Sequence, residues 1–205
     1  MWVITLSIAF AATGSSAAMH EEELLEIYGN TVFRPDSSTL CILTVGGDTI
    51  SFVDNRYPGI NEEYASYRLV DRIGERGLWV VHRVGHEWEE WKLVDGVTGE
   101  MRTAISGPAV SPDGTRLLCS MMDIMAAFVD NGIQIWRITP HGLELEFQDI
   151  SVPWGPQEAR WDGDSAITFV KVSYSHDDDN YSYRPGRLEL TCGGRWLPDD
   201  PSDWQ

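Results

Sequence analysis

His86 follows His82 by one short step, and Glu87 comes directly after it, so two imidazoles and a carboxylate lie close together in the chain. Those are the donors of a zinc site, which needs three or four of them converging on one point. On a strand, however, successive side chains alternate between faces. His82 then shares a face with Leu78, Val80 and Val84, His86 falls in a turn, and no third ligand stands in register. The reading is a core-facing His82, a solvated His86 and no metal. Glu21-Glu22-Glu23, His176-Asp177-Asp178-Asp179 and Asp162-Gly163-Asp164 crowd oxygen ligands together. They lack the spaced acids, interior glycine and terminal glutamate of a calcium loop, so they read as solvated polar segments. Gly-x-Ser-x-Gly, a cysteine with a nearby histidine signature, the P-loop pattern and Gly-x-Gly-x-x-Gly do not occur. The sequence therefore assigns no catalytic residue and no cofactor.

Nine tryptophans offer a different chemistry, that of large rings which fill cores or anchor partners. Trp79, Trp88, Trp91, Trp136, Trp154, Trp161 and Trp196 are spread through the region of strand-like patterning, where most should be core residues. Trp154, inside Pro153-Trp154-Gly155-Pro156, and Trp88, beside a turn, are expected to reach the surface. Either one would there serve as the anchor of a protein partner.

The elements that must hold these residues follow from periodicity. Leu143, Leu145 and Phe147 alternate with Glu144, Glu146 and Gln148, the pattern of a strand with one dry face and one wet face. Leu40 to Val45 and Thr49 to Val53 flank Gly46-Gly47-Asp48, and Leu78 to Val84 and Trp88 to Asp95 flank Gly85-His86, which predicts two hairpins. Ala166 to Ser173 is a further strand, and Arg187 to Leu190 with Arg195 to Leu197 forms a closing hairpin around Gly193-Gly194. Ser173 to Asn180 has the composition of a flexible connection. One helix is expected over Glu21 to Tyr28, with Leu24, Leu25 and Tyr28 on one side, acids in the first turn and Gly29 as its stop.

Ser111-Pro112-Asp113-Gly114 fits a type I turn, because proline presets the backbone at the second corner and glycine tolerates the exit. Arg76-Gly77 and Asp162-Gly163 also precede strands, and Trp91-Lys92-Leu93-Val94-Asp95 and Ile133-Gln134-Ile135-Trp136-Arg137 end comparable hairpins. With those marks as register, the strands group into about four units. The stretch from Pro108 to Ile138 resembles a repeat of the TolB-type and WD-type β-propellers. The order of these motifs, with Trp154-Gly155-Pro156 and Gly194-Arg195-Trp196, is similar to that of small uncharacterised exported bacterial proteins. The resemblance implies an all-β fold, a small or irregular propeller-like array of about four antiparallel sheet units. At about forty residues per blade, residues 19 to 205 supply a short array.

Composition sets the compartment and the partners. Met1 to Ala12 carries no charged side chain and the small-residue run after it ends in Ser16-Ala17-Ala18, so residues 1–18 read as a secretory signal and 19–205 as one exported domain, periplasmic or extracellular. The apolar run is about eleven residues long, against roughly twenty needed to span a bilayer. Cys41, Cys119 and Cys192 stand far apart beside strand-like runs, where reduced cysteine packs as a small apolar group, so no disulfide is expected. The 32 acidic residues against 15 basic ones give a formal charge of −17, which repels nucleic acid and anionic lipid and permits a basic protein partner. The resulting expectation is a non-catalytic binding or protein-interaction module of the cell envelope. Its rivals are an envelope hydrolase or lyase with a site at one end of the array, and an acidic inhibitor or immunity protein for a basic partner.

Overall fold

The turn at Ser111 shows how the chain passes from the first to the second strand of each unit. Ser111 Oγ donates to Asp113 Oδ1 at 2.6 Å and accepts the Arg116 N–H at 2.9 Å, while Asp113 Oδ1 also accepts the Thr115 N–H at 3.0 Å. Gly114 closes the turn by donating to the Ser111 carbonyl at 2.9 Å with φ 71, a left-handed conformation that costs glycine nothing. Gly77 and Gly163 hold φ 73 and 71 at the corresponding places. A fourth turn of this kind escapes a search for glycine: Asp36 Oδ1 accepts both the N–H and the Oγ–H of Ser38 at 2.8 Å.

The computed structural model describes residues 19–57, 59, 63–125, 128–177 and 179–199; the expected signal segment, 1–18, lies outside them. Four antiparallel sheets follow one another, each a meander of consecutive strands. The first holds β1 (Val32–Phe33), β2 (Thr39–Leu43) and β3 (Thr49–Val53). The second holds β4 (Ser66–Ile73), β5 (Leu78–Val84), β6 (Glu89–Asp95) and β7 (Met101–Ala104). The third holds β8 (Ala109–Val110), β9 (Arg116–Met121), β10 (Gly132–Thr139) and β11 (Gly142–Ile150). The fourth holds β12 (Trp154–Trp161), β13 (Ala166–Ser175), β14 (Asn180–Leu190) and β15 (Trp196–Pro198). The fold is all-β apart from the helix α1 (Glu21–Tyr28), which has the predicted bounds. A capping box starts it, with the His20 N–H donating to Glu23 Oε2 at 3.0 Å. Glu21 ties the helix down by accepting from Leu69 N–H and Arg34.

Strand alternation gives the two middle sheets an apolar residue on each face. In β5, Trp79 and Val81 pack with Leu40, Ile42, Phe52 and the helical Leu24, whereas Leu78 and Val80 pack with Leu117, Cys119 and Trp136 of the third sheet. In β9, Leu118 points the other way and joins Ile135 to Trp154, Ile167, Phe169 and Leu188 of the fourth. Three core layers thus join the sheets in chain order. Among the described residues, no core layer joins the fourth sheet to the first.

Polar clamps fix the ends of these layers. Asp95, whose side chain is 4% exposed, accepts from Val97 and Thr98 N–H through Oδ1 and from Arg76 through Oδ2 at 2.6 Å. Burial pushes its carboxyl pKa up, but Arg76 and the two backbone donors outweigh that and hold it below the ordinary range. Arg76 also donates to the Pro140 carbonyl, linking the second sheet to the third. Between the third and fourth, Glu146 accepts from Arg116 at 2.8 Å and from Trp196 Nε1 at 3.0 Å, and Trp161 Nε1 donates to the Ala109 carbonyl at 2.9 Å.

Two expectations need correction. Trp154 does not reach the surface: it is 4% exposed, because β12 begins there and lays the indole parallel to Phe169 at 5.7 Å, with Lys171 Nζ 4.8 Å from the ring. Ser173 to Asn180 is not a loose connection, since β13 runs to Ser175, β14 starts at Asn180, and the Tyr174 and Tyr181 rings meet at a tilt, 5.0 Å apart, across the hairpin. The cause is cross-strand aromatic pairing, which outweighs a polar composition.

Truncating Trp154 to alanine should cost about 3–5 kcal/mol of stability, the range for large buried rings, read from urea unfolding. Asp95→Asn should cost about 2–4 kcal/mol, because it weakens the pairing of a buried cation and a turn. A loss below ~1 kcal/mol for either would show that these contacts do not hold the sheets together.

Candidate functional site

Where the second and third sheets diverge at one end, an open groove of about 600 Å³ remains. One wall is the end of the β5–β6 hairpin. Gly85 donates to the Trp88 carbonyl at 2.7 Å, and the Trp88 indole lies so close over Gly85 that a Cβ there would come 2.2 Å from Cε2. Only glycine leaves that space. The Arg83 guanidinium stacks 4.3 Å from the Trp88 ring centroid, and the indole remains half-buried with a surface on the groove.

Behind it, His82 stacks on its cross-strand neighbour Trp91, with centroids 4.2 Å apart and planes 15° from parallel. His82 Nε2 and Glu89 Oε2 are 2.7 Å apart. That hydrogen bond holds the Glu89 carboxyl below its ordinary value against the opposing effect of burial. Glu90 accepts from Arg83 at 3.1 Å and from Lys92 at 2.9 Å. Burial raises its pKa, and the two cations more than reverse this.

The facing wall is the connection between β9 and β10. Asp123 Oδ2 accepts the N–H groups of Phe128 and Val129 at 2.7 and 3.1 Å, and Asn131 Oδ1 accepts the Asp123 N–H. Phe128, held in this way, is 52% exposed and lines the groove, while Met122 and Met125 of the same connection are also exposed. Ser151, at φ 60, donates its N–H to the Asn131 carbonyl and its Oγ–H to Asp130 Oδ1 at 2.7 Å. Beneath lies Gln134, 5% exposed, which accepts the Ile105 N–H and donates to Gln148. The floor is thereby fixed by a side-chain amide with partners on both sides.

Of the residues singled out from sequence, Trp88 lines this groove and Trp154 lies in the core between the third and fourth sheets. His82 faces the third sheet as expected and pairs with Glu89, while His86 and Glu87 are exposed at the hairpin end. Glu21, Glu22 and Glu23 form the first turn of α1, Asp162 pairs with Arg187, and His176 meets the Tyr174 ring edge-on at a hairpin tip. Asp178 lies outside the described residues. Among the described residues, no three His, Cys, Asp or Glu side chains converge as metal ligands. Cys41 and Cys119 are buried, and burial alone drives the Cys119 thiol pKa far up. Cys192 is exposed in the last turn, contrary to the expectation of a packed thiol, because the hairpin swings it outside the strand pair.

Sequence reading missed the exposed apolar connection between β9 and β10, whose Phe128 lines the groove. Its signal was there: Met121-Met122-Asp123-Ile124-Met125 is an apolar run between two strands, where connections are ordinarily polar.

The chain matches no family model, no curated protein and no solved structure.

Glu89 and Glu90 release their protons more readily in the folded chain than in the unfolded one. Their contribution to stability is therefore full above the ordinary glutamate value of 4.5 and drains away as pH falls through the folded values. Replacing Glu89 by Gln should lower stability at neutral pH and flatten its decline between about pH 5 and 3, measured as urea midpoints across that range. Parallel curves for the variant and the parent protein would show that Glu89 titrates normally.

Proposed function

We propose that this protein is an exported, non-catalytic protein-interaction module, an open propeller-like array whose partner sits in the groove between the second and third sheets. The observation that carries the reading is the exposure of Phe128 beside the half-buried Trp88 in an open groove that Ile105, Ile150 and Val152 also line. Exposed apolar side chains gathered at a concave site favour binding a partner. The polar groups nearby favour binding over turnover. A general acid or base works best with a pKa near the operating pH, whereas Glu89 and Glu90 are held as carboxylates, Glu89 by its hydrogen bond to His82 and Glu90 by Arg83 and Lys92. The propeller-like description is supported by four successive meanders, their shared turn chemistry and core layers in chain order. Export is supported by the residue pattern of the first eighteen positions. No helix among the described residues is long and apolar enough to cross a membrane.

A photo-cross-linking group placed at position 128 or 88 should capture one partner in the native envelope, and the same group at Val53, exposed on the first sheet, should not. Capture from all three positions alike would overturn the groove as the docking site. The recovered chain should begin at Met19, and retention of residues 1–18 in a cytoplasmic fraction would overturn export.

A further inference from the structure

Resting on the groove as the docking site, we infer that its occupant is a basic amphipathic polypeptide segment, which buries an apolar side chain against Phe128 and Trp88 and sets its cations over the acidic rim. The apolar part follows from the exposed wall already described. The charge follows from what surrounds it. Glu89 and Glu90 line the hairpin side and Asp130 the loop side, with Glu87 exposed next to Trp88 at the hairpin end. The cations facing them are Arg83 and Lys92, both engaged with Glu90, and His82 shares a hydrogen bond with Glu89. Acid therefore exceeds base around the mouth, as it does over the whole chain at −17. That field attracts a cationic segment and lowers the attraction of an acidic one.

The same charge decides among occupants. A second copy would bring another −17 to the interface, and nucleic acid or an anionic lipid surface would bring phosphates against the carboxylates. A small free cation would satisfy the acids and leave Phe128 and the open side of Trp88 in water. A segment with both cations and an apolar anchor uses both halves of the site.

Three synthetic peptides of equal length test this against the full chain by calorimetry. The first combines Lys and Arg with Leu and Trp, the second replaces its cations by Glu, and the third replaces its Leu and Trp by Ser. The first should bind, weakening as salt is added, and the other two should bind far less. Phe128→Ser should weaken the first peptide roughly tenfold or more, as loss of an interface anchor does, without moving the urea midpoint. Glu87→Lys should weaken the first peptide and strengthen the second. Equal binding of the first two peptides, or of the first and third, would overturn the inference, the latter by reassigning the site to a free cation. If no peptide binds while position 128 still captures its native partner, the partner's chemistry is wrong and the groove stands. If the basic peptide binds and both groove variants leave it unchanged, the groove itself is wrong.

Discussion

Each sheet of this protein has too few strands to bury an apolar face by itself, so the structure depends on neighbouring sheets covering one another face to face. The second and third sheets meet that demand twice. Trp79 and Val81 of β5 serve one layer while Leu78 and Val80 serve the next, and Leu117 and Leu118 of β9 divide in the same way. A one-residue slip in either strand would exchange both layers at once. The turns preceding β2, β5, β9 and β13 therefore carry more than local geometry: capping by Asp36 and Asp113, and positive φ at Gly77, Gly114 and Gly163, fix where each strand starts and so which face each side chain takes.

The groove is a by-product of that stacking. Twisted sheets that touch along their middles diverge at their ends, and the space between them must be filled or left open. At the end holding Asp95, Arg76 and the Pro140 carbonyl bridge the gap with charge and hydrogen bonds. At the opposite ends of the same strands, the β5–β6 hairpin and the connection after β9 stand apart, with Gln134 sealing the floor. Trp88 folds back onto Gly85, and Asp123 caps the facing loop, so both walls are held from behind. Their apolar groups are consequently presented to solvent on a supported surface.

Charge acts at two levels. Individual carboxylates are anchored by specific cations: Asp95 by Arg76, Glu146 by Arg116, Glu90 by Arg83 and Lys92. These pairings are local and hold the folded chain in a defined geometry. The surplus acid that remains after such pairing gives the protein its long-range field, which screens with salt and selects partners by sign.

Alternating residues such as Leu143-Glu144-Leu145-Glu146 and the turn chemistry of Ser111 to Gly114 were enough to establish an all-β chain, most of its hairpins, about four sheet units and the single helix. Those signals are local, because a strand's period and a turn's dihedral angles depend on neighbours in sequence. The turn at Asp36 and the strand beginning at Trp154 were harder to see, since the first lacks glycine and the second is broken up by Gly155 and Pro156. Which tryptophan meets solvent was decided only by the tertiary structure. Trp154 is covered by Phe169 and the third sheet, Trp88 is left at a divergent sheet end, and Phe128 is turned outward by hydrogen bonds to Asp123. Exposure is a property of what lies opposite a residue across a sheet-to-sheet layer, and no local period in the chain encodes that distance.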